Sequence, residues 1–476
     1  MLRIDPEQLT DLKSVLQYLI DNHNVTEISK LQEYYEGRHG ILSRQMADST
    51  KPNNKLVNNL AAYITDTITG YIMGKPVSYS VDEEEPKGVV GRAVEKVKLA
   101  LASGGNNEAY LEALQSVFDL NDEQDHNSEL AKSASIKGAA YELLYTDEEA
   151  NIRFAELPRE NVIYVETDDV AAEPALAVRI YEVDDLQGGK RHLYDVYTDS
   201  EIITYEMVTE NEVKSLVERE RRAHYFQGVP VVAYPNNKEL MGDFKGVLSL
   251  IDAYNNAQSD TANDFEYFTD AYLKLTGADM DHKDIVKMKE TRVITMPDKE
   301  CDADWLIKQI NDVAVENYKN RVRRDIHALS KTPNLTDEQF AGQLSGVAIA
   351  YKIWGMEQIS ATKERKFKKG LQRRIELITN IFNATGKQWD YRDINMTFSR
   401  NMPQNLTEIV EMVQKLKSTV SDQTLLSQLP FIEDPQEEIE RLEKQNAGKV
   451  DLYDEVENDE PIEETQPGGQ TPRETT

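Results

Sequence analysis

The sequence predicts an α+β protein organised around one long central helix, and three observations carry that reading. Apolar residues recur at helical spacing, with no proline, from 346 to 384. The period falls to two between about 140 and 234. Two helical stretches then bracket a small mixed unit at 269–311. In the central stretch Ile349, Ile353, Met356, Ile359, Phe367, Leu371, Ile375, Ile378 and Phe382 mark one helical face. Ser345 is placed to cap its start, and Gly386 lies just past its end. A helix of this length reaches about 60 Å. Gly355 and Gly370 each cost about 1 kcal/mol relative to alanine, so bends are expected there. The helix reads as the spine of an elongated subunit.

The 476 residues leave room for about two to four domains and a substantial core. A net charge of −31 argues against a general coat for nucleic acid, because affinity for phosphate rests on Lys and Arg. It leaves open a protein that lets DNA pass without gripping it. The single cysteine, Cys301, excludes an intrachain disulfide framework. Asp5, Glu7 and Asp11 interrupt the first apolar residues, so no signal peptide is expected. Nor is there an uncharged apolar run long enough for a membrane span.

In chain order, residues 6–36 read as one or two helices with Leu9, Leu12, Leu16 and Leu19 on one face. Leu56, Leu60, Ile64, Ile68 and Ile72 repeat every four residues and predict a helix ending at Gly74 and Pro76. A strand at 77–81, an acidic loop at 82–86, and helices near 89–102, 107–119 and 126–137 follow. Strands are expected at 140–146, 151–157, 161–166, 175–183, 191–198, 201–208 and 229–234, joined by short polar turns that suit a largely antiparallel sheet. A helix from 244 to 268 and another over 312–329 flank strands near 272–276, 292–296 and 305–308 and a helix near 281–290. That order describes a protrusion on a two-helix stalk. Past the spine come a strand within 391–398 and helices at 406–417 and 434–446. The acidic, Pro/Gly-rich segment 447–476 has almost nothing to bury and reads as disordered.

No phosphate loop, dinucleotide turn, zinc helix or nucleophile elbow is present. Asp279, Asp281 and Asp284 form the tightest acidic group and would be the metal ligands of a nuclease or phosphodiesterase; the stronger reading is that carboxylates in the first turn of a 281–290 helix favour the positive end of its dipole. Two basic features stand out. Lys363, Arg365, Lys366, Lys368, Lys369, Arg373 and Arg374 crowd the spine, and Arg321, Arg323 and Arg324 lie near the end of the second stalk helix. They fit solvated faces, pairing with acidic neighbours in an assembly, or contact with DNA.

With these features in place the chain resembles the portal proteins of tailed bacteriophages, in particular those of long-tailed phages of Gram-positive hosts. The resemblance runs from about residue 28 to 400. EYYEGRHGILSR and KPNNKLVNNLAAYITDTITGYIMGKPVSYSV carry it near the N-terminus; GVPVVAYPNNKELMGDFKGVLSLIDAYNNAQSD and GQLSGVAIAYK carry it before the stalk and at the spine. Each stretch is modest alone, and their joint order is specific.

The resemblance implies a homo-oligomeric ring of about twelve subunits around a tunnel for double-stranded DNA, contacted without regard to sequence. It implies a wing (1–240, with much of 346–400), stem helices (241–268 and 312–330), a clip (269–311), a tunnel loop (331–345) and a short crown (401–446). The DNA-facing residues would be Thr336, Asp337, Glu338, Gln339, Phe340 and Gln343. The basic helix, with Lys363, Arg365, Lys366, Lys369 and Arg373, would contact DNA or a neighbouring subunit. A portal sits at one capsid vertex of the virion after assembly in the host cytoplasm. Its implied partners are the terminase large subunit, a head-completion or adaptor protein, and the major capsid or scaffold protein. No cofactor, membrane or catalysis is implied, since the packaging ATPase is the terminase. A metal-dependent nuclease and a channel-less capsid scaffold are the competing readings.

Overall fold

A computed structural model of the chain describes residues 2–49, 51–81, 105–184, 188–210, 213–268, 272–277, 281, 283, 286, 302–306, 312–336, 346–402, 406–417, 419–429, 432, 438–439, 441–442 and 445. The helices expected at 89–102 and the segment 447–476 lie outside these residues, as do most of those at 281–290 and 434–446. The chain divides into two units, 1–401 and 402–476.

In the first unit, β1 (Leu2–Ile4) leads to α1 (Leu12–Asp21), α2 (Thr26–Tyr35) and α3 (Leu60–Met73). Then come β2 (Ser78–Val81), α4 (Gly105–Leu120) and α5 (Glu123–Lys137). The strand-rich stretch holds β3 (Ala139–Thr146), β4 (Ile152–Leu157), β5 (Val162–Thr167), β6 (Pro174–Asp184), β7 (Lys190–Tyr197), β8 (Glu201–Glu210), β9 (Val213–Ala223) and β10 (Val231–Pro235). The two stalk helices are α6 (Leu248–Phe268) and α7 (Asp312–Ser330), and between them β11 (Tyr272–Thr276) pairs antiparallel with β12 (Asp302–Leu306). The long helix α8 (Gly346–Ala384) follows, then β13 (Ile394–Thr397), which pairs with β2. The second unit contains α9 (Leu406–Leu416) and α10 (Asp422–Leu426), the latter capped by the Ser421 hydroxyl, which accepts from the Thr424 amide. No described helix is long and apolar enough to cross a membrane.

The period-two pattern resolves into two stacked sheets. One has the order β10-β3-β4, the other β1-β5-β6-β7-β8-β9, and every pair is antiparallel except β1 with β5. Alternate residues of a strand face opposite ways. Accordingly Ala140 and Leu144 of β3 join the core under α8, while Ala139, Tyr141 and Leu143 pack between the sheets with Val162, Tyr164 and Ala177. Ile163, Val165, Leu176 and Val178 turn to the far side and meet Leu16 and Leu19 of α1. Four layers result: helices, three strands, six strands, helix.

The long helix runs unbroken through Gly355 and Gly370. Gly370 has a packing reason: a Cβ there would sit 2.4 Å from Cδ1 of Tyr234 on β10. At Gly355 a Cβ would meet only Lys331, at an ordinary 3.5 Å. G370A is therefore expected to destabilise by about 1–3 kcal/mol through overpacking, whereas G355A stabilises by up to about 1 kcal/mol through helix propensity. Urea midpoints of the two variants check this; equal shifts would mean that β10 is not seated on the helix at Gly370.

Leu56 departs from the expected helix, which begins only at Leu60. Residues 54–58 lie extended along α6 and are held by a polar ladder. The amides of Asn54, Leu56 and Asn58 donate to Asn263 Oδ1, Ser259 Oγ and Asn255 Oδ1 at 2.6, 2.9 and 2.8 Å. Two residues of extended chain rise about 6.6 Å, and four residues of helix about 6 Å. The two spacings match, so alternate amides meet every fourth helix residue. Asn255 and Ser259 are fully buried, and the Asn255 amide group also donates to Nδ1 of His39, whose Nε2 donates to the Tyr34 carbonyl.

Candidate functional site

Two features of the sequence pointed to function: the loop between α7 and α8, and the basic middle of α8. The loop is described only up to Thr336 at this side; Asp337, Glu338, Gln339, Phe340 and Gln343 lie outside the described residues. Its base is pinned from two helices. Tyr63 of α3 donates its hydroxyl to the Pro333 carbonyl at 2.9 Å and accepts from the Leu335 amide at 2.8 Å. Arg323 of α7 donates to Thr336 Oγ1 at 3.0 Å and to Asn334 Oδ1 at 3.4 Å.

His327, one helical turn beyond Arg323, donates from Nδ1 to the Thr332 carbonyl at 3.1 Å and meets the Tyr63 ring edge-to-face at 5.6 Å. Burial pushes its imidazole down from the ordinary value, against the opposing pull of that carbonyl, so the ring is neutral near pH 7. Thr332 is buried, and Lys331 takes a left-handed backbone (φ 57°) as the chain leaves α7. The loop thus springs from a fixed stub. His327 and Arg323 are structural members of it, while Arg321 and Arg324 are exposed.

The basic middle of α8 separates into two populations. Lys363, expected at the surface, instead places its ammonium 2.5 Å from both Asp243 Oδ2 and Ser135 Oγ, and burial lowers its pKa although Asp243 opposes the shift. Arg374 is fully buried. Its guanidinium lies against Glu142 at 2.7 Å and Glu123 at 3.2 Å, over the Phe154 ring at 4.6 Å. Tyr234 donates to Glu142 at 2.8 Å, His126 bonds its other oxygen at 2.8 Å, and Tyr79 and Asn127 donate to Glu123. Burial alone would push the Glu142 carboxyl up; Arg374 and then His126 overcome it and hold it at about 2.

This network locks α8 to α5 and β3. Sequence reasoning grouped Arg374 with the surface cations, yet its position was a signal. It lies among Leu371, Ile375 and Ile378 on the apolar face, and Glu142 shares the face of Ala140 and Leu144.

Arg365, Lys366, Lys369 and Arg373 remain toward the surface. Lys366, Lys369 and Arg373 line a cleft of about 370 Å³ between α8, β10 and the edge formed by Arg3, Tyr164 and Glu166, with Lys238 at its rim. Arg373 pairs with Glu376 at 2.8 Å and Arg3 with Glu166 at 3.6 Å. Arg365 contacts Thr362 Oγ1 at 3.2 Å.

Of the proposed metal ligands, Asp279 and Asp284 lie outside the described residues. Asp281 is exposed and accepts from the Lys283 amide at 2.9 Å. Among the described residues no group of His, Cys, Asp and Glu could hold a metal ion.

Comparison with known proteins bears on the whole chain. The family described as "Phage portal protein, SPP1 Gp6-like" matches residues 17–451. The portal protein of Bacillus phage SPP1 is 24% identical over 485 aligned positions, covering 95% of this chain and 91% of that protein. The portal protein of Clostridium phage phiCD119 is 23% identical over 454 positions, covering 89% and 94%. Both relatives are of nearly the same extent as this chain, and one family spans the two stacked sheets, helices α6 and α7 and the long helix alike. The chain belongs to the SPP1 Gp6-like family of phage portal proteins.

Proposed function

We propose that this chain, as the portal family implies, is a virion component that works in a homo-oligomeric ring. It is one subunit of a ring of about twelve, set at a single capsid vertex, through which double-stranded DNA enters during packaging and leaves on ejection. The loop 331–345 lines the narrowest part of the channel and touches passing DNA loosely, without reading its sequence. The insert 269–311 docks the terminase large subunit during filling and a head-completion protein afterwards. The wing region meets the major capsid or scaffold protein during assembly in the host cytoplasm. The domain limits are those given above: wing, stem, clip, tunnel loop, short crown and acidic tail.

The observation that best supports this reading is the pinned stub at 332–336. A loop that must face moving DNA repeatedly needs a rigid mount, and Tyr63, Arg323 and His327 supply one between two helices. Electron microscopy of the purified chain tests it. Closed rings with a central opening wide enough for a duplex are expected. A protein that stays monomeric at high concentration across a range of salt overturns the reading.

A further inference from the structure

The exposed face of α8 is not uniform. Tyr351 and Trp354 are 79% and 61% exposed. The stripe continues through Gln358, Thr362, Arg365 and Lys369, all exposed and spaced three or four residues apart, so they share one side of the helix. The opposite side, with Ile353, Met356, Phe367 and Leu371, is buried. Aromatic residues and arginine are enriched at the centres of protein interfaces, and their rims are polar and solvent-accessible. At the basic end, Lys366 and Lys369 look into the 370 Å³ cleft with Lys238. Among the described residues these three lysines have no ion pair, whereas Arg3 and Arg373 are offset by Glu166 and Glu376.

We propose that this stripe, from Tyr351 to Lys369, is where a second copy of the chain docks, with Tyr351 and Trp354 as anchors and the three lysines receiving its carboxylates. The inference rests on the portal reading and names the partner of the basic helix. Charge complementarity selects the occupant. The chain carries a net −31, and its turns expose Glu148, Glu149, Asp168 and Asp169. A neighbouring copy therefore offers many carboxylates to a local cluster of cations. A cleft of this size admits acidic side chains and excludes a duplex. Burying Lys363 and Arg374 inside the subunit also thins the basic surface that DNA would need.

The test places a photoreactive benzoylphenylalanine at 354 or at 369 in assembled rings, and separately measures the assembly midpoint of Y351A/W354A and K366E/K369E. Chain-to-chain adducts at both positions are expected, together with at least a tenfold rise in the assembly midpoint for each double variant. The photoreactive residue at 354 keeps an aromatic there, so that arm remains informative if the alanine variant does not fold. Rings of unaltered midpoint in both variants, or adducts formed only with added duplex DNA, overturn the proposal and in the latter case assign the face to DNA. Failure of the unaltered chain to form any ring overturns the portal reading itself, and this inference with it.

Discussion

R374M is expected to destabilise the chain by about 3–5 kcal/mol at pH 7.5, the range for removing one member of a buried ion pair. Arg374 is fully buried and faces two carboxylates, Glu142 and Glu123, whose side chains are 0% and 4% exposed. Methionine keeps the apolar stem and removes the charge, leaving two acids close together with the His126 imidazole as the remaining partner of Glu142. The pH dependence should then reverse. In the unaltered chain the folded Glu142 sits at about 2, below its ordinary 4.5. Its contribution is present above pH 4.5 and is lost as pH falls toward 2, an effect of about 3 kcal/mol.

Without Arg374, burial and the neighbouring Glu123 carboxylate raise the Glu142 carboxyl above its unfolded value. Stability from Glu142 is then full below about pH 4.5 and lost as pH rises. The deficit of R374M should therefore shrink between pH 7.5 and 5, and E142Q/R374M should recover part of it at pH 7.5. Urea unfolding followed by tryptophan fluorescence reads both effects, since Trp389 belongs to the same core. A deficit that grows on acidification would refute the assignment of Arg374 as the counter-charge.

The layers of the fold were legible because alternation and helical spacing are consequences of burial, and burial dominates in β3, β5, β6 and α8. What stayed hidden was held by polar contacts instead. Strand β9, VKSLVERERRA, has only Leu216 buried; it is fixed by cross-strand pairs such as Arg219–Glu206 at 2.6 Å and Arg221–Glu201 at 2.7 Å, which leave no apolar period to find. The extended segment 54–58 resembled the start of a helix because Leu56 and Leu60 are four apart, and its ladder to α6 depends on Asn255, Ser259 and Asn263, far away in sequence. At the site, the basic crowding on α8 was visible as composition. Its division into Lys363 and Arg374 inside and Arg365, Lys366 and Lys369 outside depends on Asp243, Glu123 and Glu142, which no local pattern ties to that helix. The loop stub shows the same limit: Tyr63 reaches it from 270 residues away.

Removing residues 337–342 should abolish or severely impair DNA packaging while closed rings still form. The stub at 332–336 is held within the subunit by Tyr63, Arg323 and His327, so shortening the chain beyond it leaves the mount intact. The loop itself is rich in Thr, Asn, Gln and Asp, with Lys331 as its only long cation and that at its edge. A surface that gripped phosphate would carry several Lys or Arg and show a steep salt dependence; this one suits sliding contact. Q339E/Q343E adds two negative charges per subunit, about 24 around a ring of twelve, and repulsion of the duplex should slow packaging most at low salt, where screening is weakest. Y63F offers a graded case. It removes the hydroxyl that bridges Pro333 and Leu335, frees the stub without altering the loop, and is expected to reduce packaging less than the deletion does. An in vitro packaging assay with rings checked by electron microscopy orders the three. Full packaging by the deletion variant, in rings of normal appearance, would remove the loop from the DNA path.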